Sequence, residues 1–111
     1  MISIDDLRSI CGRLEDVSEQ AHFEKTSFRT KKRIFATFDA KTNLVCVKLE
    51  EADQYIYNKL NPEIYWPLSN KWGSLGWTHV KIDSIEKDAF LEILMKAYSL
   101  SSPKPHPHET N

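Results

Sequence analysis

The last third of the chain contains an amphipathic segment that limits the fold more than any other feature. Its apolar side chains recur at the spacing of one helix face: Ile85, Ala89, Phe90, Ile93, Leu94, Ala97 and Tyr98. A helix with such a wide apolar face has to be covered by another apolar layer. This is the longest amphipathic helix in the sequence, and strand-like segments precede it. We therefore predict that it packs on a β-sheet.

Helix-like and strand-like segments alternate along the rest of the chain. Helices are predicted over about residues 4 to 15, capped by Ser3 and Asp6, over 50 to 60, and from the caps Asp83 or Ser84 to about 100. Strands are predicted over 23–28, 33–39, 44–49, 64–68 and 77–82, the fourth limited to a sheet edge by Pro67. The fold class predicted is α+β in two layers, with an antiparallel sheet of about five strands, helices mainly on one face, and the order α-β-β-β-α-β-β-α.

Two strands show the alternation of a sheet with one covered face. In the third strand Val45, Val47 and Leu49 share a face, and in the last strand Thr78, Val80 and Ile82 do so. The opposite face of the last strand then carries Trp77, His79 and Lys81. The loop before it contains Gly73 and Gly76, which allow backbone angles that other residues avoid.

The length of 111 residues fits one domain, predicted over residues 1–100. Residues 101–111, SSPKPHPHETN, contain three prolines and no large apolar side chain, so a disordered tail is predicted. No run of about 18 apolar residues is present, which argues against a membrane span and a membrane partner. The amino terminus does not resemble a signal peptide, so the expected location is cytoplasmic, with Cys11 and Cys46 as reduced thiols.

The order of elements and several short motifs resemble the MmcQ/YjbR family of small bacterial proteins. The motifs are the aromatic strand from Phe23 to Phe28, Lys32-Arg33-Ile34-Phe35-Ala36, Trp77 before the last strand, and Ala97-Tyr98-Ser99-Leu100 followed by Lys104. The resemblance implies a two-layer α+β domain of the frataxin-like (CyaY-like) and secretion-chaperone-like kind. It also implies DNA binding through a "double wing" of strands, a label that is itself a fold analogy. It implies no catalytic residues.

The first candidate site is a basic hairpin. Residues 25–33, KTSFRTKKR, contain five positive charges and no negative one, whereas the net charge of the chain is −1 and the remainder therefore sums to −6. Cations of this kind bind phosphates, so a low-specificity DNA site is predicted at Lys25, Arg29, Lys31, Lys32, Arg33 and Lys71. The alternative is a solvated hairpin whose lysines protect a strand edge from aggregation.

The second candidate site is the sheet face left open by the helices. Trp72, Trp77, His79 and Lys81 are predicted to form a surface there that stacks bases, binds a small ligand or contacts a protein partner or a second copy. The alternative is that Trp77 packs under a loop or the first helix. A continuous positive surface would favour DNA, and an apolar groove would favour a partner.

Metal, cofactor and catalytic sites receive no support from the sequence. His22 and His79 have no partner at metal-ligand spacing, and His106 and His108 belong to the predicted tail. Iron binding would require acids such as Asp5, Asp6 and Glu19 to converge on one point. No phosphate loop, HExxH or nucleophile elbow is present. We therefore predict no cofactor, no metal and no enzymatic activity.

Overall fold

The computed structural model describes residues 2–102, which form one six-stranded antiparallel sheet and four helices. The elements are α1 (Ile4–Cys11), β1 (Ser18–His22), β2 (Lys25–Arg29), β3 (Ile34–Asp39), β4 (Leu44–Lys48), α2 (Glu51–Leu60), β5 (Tyr65–Pro67), α3 (Lys71–Ser74), β6 (Trp77–Lys81) and α4 (Lys87–Ser101). The strand order is β1-β2-β3-β4-β6-β5. The predicted α+β class is confirmed. The predicted order lacked β1 and the single-turn helix α3.

The additional strand β1 is an edge strand without a buried side chain. All five of its residues are exposed, and it pairs with β2 from Ser18 opposite Arg29 to His22 opposite Lys25. Its Glu19 carboxylate lies 2.9 Å from the Arg8 guanidinium of α1. Because both faces of this strand are exposed, its side chains do not have to alternate between polar and apolar. The sequence pattern therefore did not reveal it.

Helix α1 begins with the predicted capping box and ends earlier than predicted. The Ser3 side chain accepts a hydrogen bond from the backbone N–H of Asp6, and the Asp6 carboxylate accepts one from the backbone N–H of Ser3. The helix ends at Cys11, four residues before the predicted boundary, and the backbone N–H of Gly12 donates to the Arg8 carbonyl. Leu14 follows the helix and still packs against the core.

The predicted caps of α4 are wrong. The helix begins at Lys87, and its N-cap is Glu86, which forms no capping hydrogen bond through its side chain. Asp83 instead accepts a hydrogen bond from the side-chain amide of Asn43 in the β3–β4 turn. The helix continues to Ser101, which is fully buried and lies in the segment predicted as tail. The remainder of that predicted tail, residues 103–111, lies outside the described residues.

The core lies between α4 and the covered face of the sheet. Strands β4 and β6 contribute the predicted side chains, and Val45, Val47 and Val80 are fully buried. Helix α4 packs on β3 and β4, and its Tyr98 ring lies 5.7 Å from that of Phe35, measured between ring centroids. The fully buried residues of α4 are Phe90, Ile93, Leu94, Ala97 and Ser101. The helix predicted to need a sheet therefore has one.

Helix α2 and strand β5 complete one end of the covered layer. Tyr57 of α2 packs against Tyr65 of β5, with ring centroids 5.0 Å apart. Strand β5 is the last strand of the sheet, as its Pro67 indicated. The ammonium of Lys96 on α4 lies 4.0 Å from the Asp53 carboxylate of α2. Helices α2 and α4 are thus neighbours, and the opposite sheet face is left without a covering long helix among residues 2–102.

Candidate functional site

The open face of the sheet forms a groove of about 700 Å³. Side chains of β2, β3, β4 and β6 point into it, on the face opposite the core. In β3 the lining residues Ile34 and Thr37 are three positions apart, because the register between β2 and β3 shifts at Phe28 and Arg29. The segment between β5 and α3 and the first turn of α3 form one wall. The groove is lined by His22, Lys25, Arg29, Lys32, Arg33, Ile34, Thr37, Cys46, Lys48, Leu68, Asn70, Trp72 and Trp77. Hereafter this set is called the open-face groove.

Four of the six predicted DNA-binding cations line the open-face groove. Lys25 and Arg29 come from β2, and Lys32 and Arg33 come from the loop between β2 and β3. A fifth cation, Lys48 of β4, also lines the groove and was missed by sequence reasoning. The alternation that buried Val45 and Val47 already placed Lys48 on the other face.

Lys31 and Lys71 lie outside the lining of the groove. The Lys31 ammonium is 3.7 Å from the Asp16 carboxylate, which follows α1. The Lys71 ammonium lies 5.8 Å from the centre of the Trp72 ring and is therefore next to a lining residue. Of the five cations in residues 25–33, four therefore line the groove, and Lys31 forms an ion pair with an acid outside it.

A side-chain network around Thr30 fixes the loop that presents Lys32 and Arg33. The Thr30 hydroxyl is buried, donates to the Ser101 carbonyl at 2.8 Å, and accepts from the backbone N–H groups of Lys32 and Arg33 at 3.1 and 3.2 Å. The Thr30 N–H also donates to the Arg33 carbonyl at 2.9 Å. The hydrogen bond to Ser101 therefore anchors the basic loop on the last residue of α4.

Replacing Thr30 by valine should destabilise the protein by about 1–3 kcal/mol, because the substitution leaves buried backbone groups without their partner. Urea unfolding monitored by circular dichroism measures this change. Thr42→Val is the matched control, since Thr42 is exposed in the β3–β4 turn and its replacement should change stability by no more than about 0.5 kcal/mol. Equal stability of Thr30→Val and the unmodified protein would contradict a structural role for the network.

The wall that carries Trp72, called the aromatic wall below, is positioned by backbone contacts of α3. The Asn70 side chain accepts a hydrogen bond from the Trp72 N–H at 2.9 Å, and a Cβ on Gly73 would collide with the Leu68 carbonyl. Gly73 is therefore needed for close approach, whereas the positive φ predicted for the loop occurs at Gly76. The Trp72 side chain remains half exposed, at 49 %.

A half-buried side-chain amide joins this wall to the sheet. The side-chain nitrogen of Gln54 on α2 lies 2.9 Å from the Gly73 carbonyl, 3.2 Å from the Trp77 carbonyl and 3.1 Å from the Thr78 hydroxyl. No sequence pattern indicated Gln54, because one glutamine in an amphipathic helix is ordinarily a solvated residue. Its contacts fix the position of Trp72 relative to Trp77.

Trp77, His79 and Lys81 lie on the open face of β6, as the alternation predicted. Trp77 lines the groove opposite Lys48, its partner in the strand register. His79 is half buried, with its Nδ1 atom 3.2 Å from Cys46 Sγ and its ring 5.4 Å from that of Trp66. Lys81 is exposed further along the strand, opposite Leu44, and does not line the groove.

Burial sets the charge state of the polar groups beside the groove. It lowers the pKa of His79 below 6.5, and the positive charge of Lys25 lowers it further. Burial raises the pKa of the Cys46 thiol, and it raises the pKa of Cys11 to about 12. Both cysteines are therefore protonated near neutral pH. Within residues 2–102, no group of three or more His, Cys, Asp or Glu side chains is arranged to hold a metal ion.

The open-face groove concentrates positive charge on a chain that is negative overall. Its lining contains five lysines and arginines and no aspartate or glutamate. None of the five pairs with a carboxylate among the described residues, where the ion pairs involve Arg8, Lys31, Lys41 and Lys96. Since the net charge is −1, the rest of the chain carries −6. The groove is therefore the part of the surface where an anion would be attracted.

The fold is similar to that of a bacterial protein of known structure. The crystal structure of Deinococcus radiodurans protein DR2400, described as a DUF419 domain, matches with a TM-score of 0.78 and 25% sequence identity, covering 90% of this chain and 78% of that chain. No family model and no curated protein matches this sequence. DUF419 is related to the MmcQ/YjbR family. The likeness supports the α+β fold.

Among residues 2–102, no helix has both the length and the apolar character needed to cross a bilayer.

Proposed function

We propose that this chain is a cytoplasmic protein of the MmcQ/YjbR type and that it binds DNA weakly, with low sequence specificity, through the open-face groove. The observation that supports the proposal is the convergence of five unpaired cations, drawn from β2, the following loop and β4, on one concave surface without an acid. Phosphate contacts from lysine and arginine supply most nonspecific affinity for DNA. The likeness to a DUF419 protein agrees with the family assignment.

Low specificity follows from the types of side chain that line the groove. Selective base recognition usually needs bidentate contacts from asparagine, glutamine or arginine to base edges in the major groove. The lining offers one asparagine, Asn70, whose side-chain oxygen already accepts the Trp72 N–H, and two arginines, Arg29 and Arg33, which we assign to phosphates together with the neighbouring lysines. Charge and shape are therefore the properties that the groove can recognise.

Neutralising two exposed cations of the groove tests this proposal. Lys25→Gln combined with Lys32→Gln should weaken binding of a fluorescein-labelled oligonucleotide at low salt by roughly tenfold, because two phosphate contacts are lost. Fluorescence anisotropy measures the affinity. The matched control combines Lys59→Gln with Lys87→Gln, which removes the same charge from exposed positions on α2 and α4. Equal weakening by both pairs, or no binding by the unmodified protein at high micromolar concentration, would refute the proposal.

A protein partner or a second copy of the chain is the alternative occupant of the open face. The observation that favours it is the exposure of two apolar side chains on and beside α3, where Trp72 is 49 % and Leu75 is 52 % exposed. Such residues often mark contact surfaces. Sedimentation equilibrium of the unmodified protein and of Leu75→Ser tests the homodimer, since a dimer at this face should dissociate in the variant. A monomer at all concentrations would exclude it.

A further inference from the structure

We infer that the open-face groove selects single-stranded over double-stranded DNA, with the phosphate backbone on its cationic side and a base stacked on Trp72. This inference depends on the proposed function, because it assumes that the groove binds DNA. The inference specifies that the bound DNA is single-stranded and that Trp72 distinguishes single strands from duplexes. The sequence patterns indicated base stacking near Trp72, but they placed the tryptophans and most of the basic residues in separate candidate sites.

The sheet order separates charge from aromatic rings across the groove. Lys25 and Arg29 belong to β2, whereas Trp77 belongs to β6 and Trp72 to α3 beyond it. Strands β3 and β4 lie between β2 and β6. With neighbouring strands about 4.8 Å apart, β2 and β6 are about 14 Å apart. A ligand that fills the groove therefore meets cations on one side and tryptophans on the other.

The floor between the two sides is largely uncharged. Ile34, Thr37 and Cys46 line it, and Lys48 is the one charged residue between the two sides. The Cys46 thiol is protonated and lies next to the half-buried His79. Apart from Lys48, this floor offers little to phosphates, whereas the flat face of a base can pack on it and on the tryptophans.

The two forms of DNA present different groups to such a surface. A duplex exposes its phosphates, sugars and base edges, but the faces of its bases are stacked inside the helix. A single strand exposes phosphates and base faces together. Proteins that bind single strands without sequence preference combine a positive groove with aromatic side chains on which bases stack. The open-face groove has both of these features.

Trp72 is the residue best placed to stack. Its side chain is half exposed on the wall of the groove, while its backbone is fixed by Asn70 and by the close approach of Gly73 to Leu68. The Lys71 ammonium, 5.8 Å from the ring centre, adds a positive charge beside the position of a stacked nucleotide. A ring carried on a fixed backbone loses less conformational freedom on binding than one on a mobile loop, which favours the contact.

A free mononucleotide shares the chemistry of phosphate plus flat base with a single strand, so the length of the ligand has to be tested. Five cations distributed along β2, the following loop and β4 can contact several phosphates. A mononucleotide offers one phosphate group and one base. Affinity should therefore increase with strand length until the groove is filled, within the range of about 4–16 nucleotides typical of comparable grooves.

The test compares three probes at low salt: an oligothymidylate of about ten nucleotides, a duplex of the same length, and thymidine monophosphate as competitor. We expect the single strand to bind about tenfold more tightly than the duplex, and the mononucleotide to compete poorly. Trp72→Leu should weaken single-strand binding about tenfold and leave duplex binding unchanged. Trp72→Phe, which keeps a flat ring, should restore most of the affinity.

The control for Trp72→Leu is Tyr55→Leu. Tyr55 is also an exposed aromatic residue beside a lysine, with the Lys59 ammonium 5.9 Å from its ring centre, but it lies on α2. This variant should bind all probes as the unmodified protein does. Thermal unfolding of each variant shows whether it is folded.

Three outcomes would overturn the inference, and they separate it from the proposed function. Equal or tighter duplex binding that is still weakened by Lys25→Gln with Lys32→Gln would refute single-strand selection and leave DNA binding in place. Mononucleotide binding as tight as oligonucleotide binding would identify a nucleotide site instead. Absence of binding to all three probes would refute the proposed function itself, and the inference with it.

Discussion

Raising the salt concentration from about 50 to 200 mM should weaken oligonucleotide binding by roughly a hundredfold. Each phosphate neutralised by a lysine or arginine releases condensed counterions, so the logarithm of the affinity falls with the logarithm of salt by about 0.7 per contact for a single strand. The open-face groove presents five such cations. Five contacts correspond to a slope of about −3.5, the upper limit for this surface.

Single-charge variants show which cations contribute to that slope. Lys48→Gln should reduce its magnitude by about 0.7, because Lys48 lies on the floor of the groove. Lys31→Gln should leave the slope unchanged, since Lys31 faces Asp16 and does not line the groove. These two variants distinguish the structure from the sequence pattern, because the pattern predicted a DNA contact for Lys31 and none for Lys48.

Anisotropy titrations at four or five salt concentrations for each variant measure these slopes. A reduction by Lys31→Gln as large as that by Lys48→Gln would contradict the assignment, because it would place phosphates along the outside of the loop. A slope near zero for the unmodified protein would contradict phosphate binding altogether, and would favour the aromatic wall as the source of any affinity.

Alternation within single strands was sufficient to predict which side chains share a face, whereas the packing of the helices decides which of the two faces is open. Val47 and Thr78 are fully buried, and their neighbours Lys48 and Trp77 line the groove. This succeeds because the period of two is a local property of a strand, and one apolar face needs one covering layer. The same argument, applied to β4 as it was to β6, would have identified Lys48.

The convergence of two candidate sites on one groove was beyond the sequence pattern. It depends on the pairing of β4 with β6, which brings Lys48 opposite Trp77 across 29 positions of the chain. Periodicity within a single strand cannot predict which strands pair. The orientation of the Lys31 side chain likewise depends on its ion pair with Asp16, which follows α1. The position of the Gln54 side chain depends on three acceptors from α3 and β6.

Two elements escaped prediction because neither buries an apolar stripe. Strand β1 is exposed throughout and is held by backbone pairing with β2. Helix α3 has four residues and is fixed by the Asn70 cap and by Gly73. Hydrophobic periodicity detects elements by what they bury, so elements held by backbone hydrogen bonds and close packing leave little trace in it.

Gly76→Ala should destabilise the protein by about 2–4 kcal/mol, a large part of the roughly 5–15 kcal/mol that stabilises a domain. Gly76 has a φ of +108°, a region that residues with a side chain rarely adopt. A Cβ at this position would also collide with the carbonyl oxygen of Leu49. Relieving the collision would lengthen the 3.0 Å hydrogen bond from the Leu49 N–H to the Gly76 carbonyl.

Gly12→Ala is the matched control for this substitution. Gly12 has a right-handed helical φ of −65°, so alanine is compatible with its backbone and should change stability by no more than about 1 kcal/mol. Urea unfolding gives both values. The effect at Gly76 extends to the proposed site, because this residue joins α3, with Trp72, to β6, with Trp77. Equal midpoints for the two variants would show that the loop adjusts freely, and the aromatic wall would then not be the rigid surface that base stacking on Trp72 requires.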